Sequence, residues 1–177
     1  STANWSNIDP IASFSENCNP SLTYVPDDAF ETFLINAGLD SGPLDDYITT
    51  DSINKITNLN LNISPFIADL TGIEDFDSLK FLSCNTTNLT SLDVSQNTAL
   101  ISLDCGGNHL NNLTLNPQLT ILYCNNNQLA NLDLTTNNAL TDINCSNNQL
   151  ASLDLSKNIA LKTLYCHQSS PRLSDYD

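Results

Sequence analysis

The chain has 177 residues and carries 20 acidic against 5 basic side chains, a formal net charge of −15. Five Lys and Arg cannot build a basic face, which excludes nucleic acid as a partner, and the same sign disfavours anionic membrane surfaces. Hydrophobic residues reach 40% but charged ones only 14%, so the polar surface has to be made of Asn, Ser and Thr; no run approaches the ~18 apolar residues of a spanning helix, so no membrane insertion is expected.

Residues 1–21 are rich in Ser and Asn, with Trp5, Ile8, Ile11 and Phe14 scattered among polar neighbours, and read as an arm or linker. No basic segment followed by an apolar run opens them, as in a secreted chain whose signal has been removed. Residues 22–52 read as a helical N-terminal cap. In VPDDAFETFLINAGLD, the residues Phe30, Phe33, Leu34 and Ala37 share one helical face, Asp27 or Asp28 can cap the start and Gly38 can end it.

Residues 53–166 read as a repeat array. Its first coil, 53–78, is divergent: Ile56, Leu59 and Leu61 form a strand row, and Ile67, Leu70, Ile73 and Phe76 a longer apolar return. Beyond it, Cys84, Cys105, Cys124, Cys145 and Cys166 are 21, 19, 21 and 21 residues apart and end the related segments LKFLSC, LISLDC, LTILYC, LTDINC and LKTLYC. Repeats of about 20 to 29 residues with this signature specify a solenoid, whose coils bury their Leu rows only by stacking. Alternation in a strand turns Leu82 and Cys84 inward and Phe81 and Ser83 outward, so cysteine takes a leucine slot.

Each repeat holds the pattern twice, as in LTSLDV, LANLDL and LASLDL, with Leu79 to Leu89 spanning 10 residues and Leu89 to Leu100 spanning 11. Two strand rows per coil are therefore expected. Asn108, Asn127 and Asn148 follow the first row and Asn97, Asn137 and Asn158 the second. A stacked amide both donates and accepts, so Asn ladders can satisfy the backbone of buried turns. The coil at LNNLTLNPQL is two residues short, and a local kink is expected beside Pro117. Residues 167–177 form a tail without an amphipathic pattern able to cover Leu161 and Leu164.

The VPDDxFE opening and the LxxLxCxxNxLxxLDLSxN repeats resemble secreted bacterial leucine-rich-repeat proteins of the internalin-like kind, most closely Bacteroidetes surface proteins, over about residues 22–166. The resemblance implies a curved leucine-rich-repeat solenoid with a helical cap, export to the cell surface or medium, and a non-enzymatic binding or adhesion role.

Alternation also places the outward residues of the first sheet: Phe81 and Ser83, Ser102 and Asp104, Ile121 and Tyr123, Asp142 and Asn144, Thr163 and Tyr165, with Asn125 and His167 just beyond their strands. Aromatic rings among amides, carboxylates and hydroxyls suit a glycan or an extracellular protein. The plainer alternative is a solvated face whose rings merely stack. Asp104 and Asp142 sit about 10 Å or more apart by this geometry, outside the usual separation of a glycosidase pair, and neither His109 nor His167 has a Ser or Cys partner, so no enzyme is expected.

Asp93, Asp133 and Asp154 share a column on the second row, and like charges stacked ~4.8 Å apart would repel unless a cation relieved them. Calcium wants about six to eight oxygens in a shaped loop, so a solvated column is favoured there, and Asp40, Asp45, Asp46 and Asp51 of the cap are only a slightly better candidate. Ladder cysteines in one line cannot surround zinc and seldom offer a disulfide torsion, so free buried thiols are expected and no cofactor is implied. The alternative function is a structural subunit self-associating through its open C-terminal coil and its N-terminal arm. A third reading is an accessory domain of a larger enzyme.

Overall fold

A computed structural model describes residues 21–62 and 66–167. The arm up to residue 20, with its scattered apolar residues and Cys18, and the tail beyond His167 lie outside the described residues.

In the cap, strand β1 (Leu22–Tyr24) pairs antiparallel with β2 (Tyr47–Thr49), and helix α1 (Asp28–Asn36) lies between them in sequence, with a short α2 (Thr50–Ile53) after them. The sequence reading placed no hairpin here, because three-residue strands leave almost no alternation to see. Asp27 starts α1: one carboxylate oxygen accepts from the N–H groups of Ala29 and Phe30 at 3.0 and 2.9 Å. Its other oxygen accepts from Ala68 and Asp69 of the first coil at 2.9 and 3.0 Å, so one side chain both caps the helix and fastens it to the solenoid. Phe30 and Leu34 are fully buried, and the Phe30 ring stacks on Phe76 with centroids 6.3 Å apart. Ala37 is exposed, contrary to its helical phase, because the helix has ended at Asn36 and Gly38 follows at φ +72°.

The solenoid strands come next. The first row comprises β3 (Asn58–Asn60), β4 (Phe81–Ser83), β6 (Ser102–Asp104), β8 (Ile121–Tyr123), β9 (Asp142–Asn144) and β10 (Thr163–Tyr165), all parallel, in the order β3-β4-β6-β8-β9-β10. Register is unbroken: Leu59, Leu82, Leu103, Leu122, Ile143 and Leu164 face one another in turn. The first five are buried, whereas Leu164 is 38% exposed because no described coil covers it. Behind them runs a row of Leu61, Cys84, Cys105, Cys124 and Cys145, also buried, so a leucine fills the cysteine slot in the divergent coil. Cys166 is exposed, and these five cysteines are all free. Leu122→Ala is expected to cost about 2–5 kcal/mol in a denaturant titration, as transfer loss plus a cavity between two covered coils; a loss under about 1 kcal/mol would mean the row collapses around the gap.

The second row differs from expectation. Among the described residues of this row, only β5 (Ser91–Asp93) and β7 (Asn112–Thr114) pair as strands. The equivalent segments of later coils keep Leu132 and Leu134 buried but form no ladder. Asparagine side chains hold the stack there instead: Asn116, Asn137 and Asn158 donate through Nδ2 to the carbonyls of Leu100, Asn116 and Asn137 at 3.2, 2.6 and 2.8 Å. Asn116 belongs to this ladder although the sequence reading left it out. The two-residue deletion brings it into line directly after Leu115, and the first sheet passes it in register, Ser102 opposite Ile121.

Asp93, Asp133 and Asp154 each accept from the N–H two residues on, at 2.8, 2.9 and 2.8 Å. They therefore build a local turn. The Thr135 hydroxyl and N–H hold Asp133 below its ordinary pKa, and the Ser156 N–H and hydroxyl do so for Asp154, against the opposing repulsion from Asp133. The expected clash of like charges is thus outweighed by hydrogen bonds.

Candidate binding face

The strand register arranges the outward residues of the first sheet into columns. One holds Asn58, Phe81, Ser102, Ile121, Asp142 and Thr163; the next holds Asn60, Ser83, Asp104, Tyr123, Asn144 and Tyr165. Asn62, Asn85, Gly106, Asn125, Ser146 and His167 continue the surface past the strand ends. Phe81, Tyr123 and Tyr165 stand 47, 39 and 55% exposed. Ser83, Ser102, Asp104, Ile121, Asn125, Asp142, Asn144 and Thr163 are half-buried, and His167 is exposed.

Tyr123 forms a ridge between two shallow hollows. One, of about 390 Å³, is lined by Asn58, Asn60, Phe81, Ser102, Asp104 and the Tyr123 ring. The other, of about 320 Å³, lies over Asn85, Gly106, Gly107, Asn125 and Asn144 and reaches Tyr165. Asp104 and Tyr123 line both, whereas His167, Thr163, Ile121 and Asp142 line neither. Asn58, Asn60, Asn85 and the glycine pair were not singled out from sequence. Asn85 occupies the same repeat position as Asn125, so the repeat carried that signal, but β3 lies in the coil without a cysteine marker.

Hydrogen bonds fix these side chains. Asp104 accepts from the Asn85 amide at 2.8 Å and from the Gly106 N–H at 3.2 Å. Asn62 bonds the Ser83 hydroxyl at 3.0 Å and accepts from the Asn85 N–H at 3.0 Å. Asn144 accepts from the Ser146 hydroxyl at 2.7 Å. The Thr141 and Thr163 hydroxyls, with a smaller contribution from Lys162, hold the Asp142 carboxyl below its ordinary range, so it is ionised at neutral pH. Gly106 leaves room for the Asn125 amide, since a Cβ there would meet Asn125 Oδ1 at 3.0 Å and push that side chain aside.

The edge beyond the strands is a tight corner. Thr86, Gly107, Asn126 and Asn147 occupy it with φ of 56, 65, 55 and 56°, which suits Gly and Asn and strains the β-branched Thr86. Behind the corner the first Asn ladder is fully used. Asn108, Asn127 and Asn148 each donate to two cysteine carbonyls, and their Oδ1 atoms accept from the N–H groups of Leu89, Leu110 and Leu129. These bonds make the face a rigid platform. Asp104 and Asp142 stand two strands apart in different columns, so no close carboxylate pair forms on it.

Elsewhere, Asp28, Glu31 and Asp46 of the cap bring carboxylate oxygens within 4.8 Å of one another. Glu31, fully buried, accepts from the N–H groups of Asp45 and Asp46 at 2.9 and 3.3 Å, which gives that cluster a structural task. Among the sequence-marked acids, Asp40, Asp45 and Asp51 likewise accept from Ser41, Tyr47 and Asn54.

No protein-family model and no curated protein sequence matches the chain. Among solved structures it is similar to the functional domain of InlJ from Listeria monocytogenes, described as including a cysteine ladder, with 29% identity over 84% of this chain and 44% of that one and a TM-score of 0.50. A leucine-rich-repeat protein of Leptospira interrogans matches at 21% identity over 68% of this chain and 33% of that one, TM-score 0.61. An internalin, InlF, of Listeria monocytogenes matches at 18% identity over 84% and 52%, TM-score 0.50. The chain spans between about a third and about half the length of these proteins. Among the described residues no helix is long and apolar enough to cross a membrane. Parallel coils of about 21 residues around a buried leucine row, together with the likeness to these leucine-rich-repeat and internalin structures, make the chain a leucine-rich-repeat solenoid.

Proposed function

We propose that the chain is a non-enzymatic binding module of the cell surface or exterior that engages an extracellular protein or glycan through the outward face of the first sheet. The observation that carries this reading is the set of three exposed rings, Phe81, Tyr123 and Tyr165, on one hydrogen-bonded platform of amides and carboxylates. Rings that merely covered the sheet would be packed down on it; these keep between 39 and 55% of their surface in water. The likeness to the functional domain of InlJ, at 29% identity, supports a binding repeat module. The face is open and shallow, an arrangement that suits binding better than chemistry, which needs an enclosed acid and base.

Tyr123→Ala is the test. Ligand affinity is expected to fall about tenfold, while the unfolding free energy changes by less than about 1 kcal/mol, because the ring is outward. Surface plasmon resonance with a captured partner, alongside chemical denaturation, measures both. A partner held as tightly by the variant as by the parent places the site elsewhere.

A second reading, end-to-end assembly, has one observation behind it: the last described coil leaves Ile159 92% exposed, with Leu164 and Cys166 also exposed and β10 paired on one side alone. An uncovered strand edge with apolar neighbours invites another chain. Sedimentation velocity over a range of concentrations is expected to show self-association that Leu164→Lys abolishes; a monomer throughout would end this reading.

A further inference from the structure

The rings on the first sheet are not scattered. They occupy alternate strands: Phe81 on β4, Tyr123 on β8 and Tyr165 on β10, in a sheet ordered β4-β6-β8-β9-β10. The strands between carry only small polar groups outward, Ser102 and Asp104 on β6 and Asp142 and Asn144 on β9. Tyr123 and Tyr165 share a column, each opposite Asn144, while Phe81 lies one column over. Parallel strands lie ~4.8 Å apart, so the platforms recur every ~9.6 Å along the solenoid axis.

That repeat discriminates between ligands. An extended peptide running along the axis presents like-facing side chains every ~6.6 Å, which drifts out of step with the rings within one interval. In a flat, equatorially linked glycan each sugar is turned half-way round from the one before, so the same pyranose face returns at every second unit, and two units cover about the distance between platforms. The intervening sugar then lies over a polar strand, where Asp104, Asp142 and Asn144 can accept from or donate to its hydroxyls. The hollows on either side of Tyr123 give room for this, and the glycine pair at 106 and 107 keeps the floor of one of them low. Charge decides the rest: two carboxylates on the face and a chain charge of −15 disfavour uronic or sulfated sugars.

Resting on the binding reading above, we propose that the face takes a neutral, flat, β-1,4-linked glycan lying along the solenoid axis, with alternate sugars on Tyr165 and Tyr123 and the chain directed toward Phe81.

The test is calorimetric titration of the full chain with cello- and chito-oligosaccharides of two to six units and with maltohexaose, whose linkage curls the chain. Affinity of at least one flat series is expected to rise about tenfold from the disaccharide to the trisaccharide, the length that first spans both tyrosines. Tyr123→Ala and Tyr165→Ala each remove that rise with thermal unfolding unchanged, whereas Tyr123→Phe retains it. Maltohexaose binding as well as the flat hexasaccharides, or no binding of either flat series at millimolar concentration, overturns the glycan assignment. If that happens while Tyr123→Ala still loses a protein partner, the binding face stands and the ligand is protein. Oligosaccharide binding untouched by both alanine variants overturns the face itself.

Discussion

Raising the pH from 8 to 10 is expected to weaken the folded chain by about 4 kcal/mol through three side chains alone, Cys84, Cys105 and Cys124. All three are fully buried. Burial pushes each thiol well above its ordinary 9.0, and neighbouring acidic or thiol groups add to it; Cys145, less deeply placed, is pushed up to about 11. The unfolded chain releases these protons near pH 9 while the folded chain keeps them. Their contribution is therefore complete below pH 9 and is lost as pH rises through 9 toward the folded values. Urea titrations at pH 8, 9 and 10 measure the loss, and Cys105→Val combined with Cys124→Val separates it from tyrosine and lysine ionisation. Across that range the double variant should lose about 3 kcal/mol less than the parent, the share of its two missing thiols. An identical pH dependence in parent and variant would show that the thiols ionise without unfolding. Native thiol labelling should correspondingly mark Cys166 quickly and spare the buried four.

Asn127→Ala is the second large effect expected. Its Nδ2 donates to the carbonyls of Cys105 and Cys124 at 3.0 and 3.1 Å, and its Oδ1 accepts from the Leu110 N–H at 2.9 Å. Truncation leaves the buried Leu110 N–H without its partner and takes one of two amide donors from each cysteine carbonyl, the other coming from Asn108 and Asn148, a cost of about 2–4 kcal/mol. Asn127→Asp should be no better, since a carboxylate turns oxygen toward two carbonyl oxygens. Asn137 is the informative comparison: it donates to the Asn116 carbonyl, but its own Oδ1 has no partner, so its removal gives up one bond and one buried orphan together. Asn137→Ala should cost clearly less than Asn127→Ala, and Gln128→Ala, at an exposed position, under about 0.5 kcal/mol. Equal losses at 127 and 137 would mean that the ladders act by packing alone.

The first sheet was legible because a strand reverses its side chains every residue, which leaves no freedom once Cys84 and Leu82 are placed inward. Both Asn ladders were legible for a related reason, since a polar residue recurring at the coil period must meet its own copy. Asn116 escaped because the deletion that displaced it in sequence is what keeps it in place in space. Asp93, Asp133 and Asp154 were visible as a column, but their bonds run along the chain to Ser95, Thr135 and Ser156, a short-range pattern masked by the long-range one. Of the face, alternation supplied Asp104 and Tyr123; Asn58 and Asn60 depended on aligning a coil whose cysteine slot holds Leu61.

Asp27 gives the array a direction. With four N–H groups held by one carboxylate, two in the helix and two in the first coil, the cap cannot lift away without breaking the helix start as well. Coils stacked in one dimension open from whichever terminus is held least. At one end of the described chain stands this clasp with Phe30 and Phe76 beneath it; at the other, Leu164 and Ile159 meet water. The stack is therefore held shut on its cap side, and amide exchange in β3 and β4, next to this clasp, should be as slow as in the middle of the array.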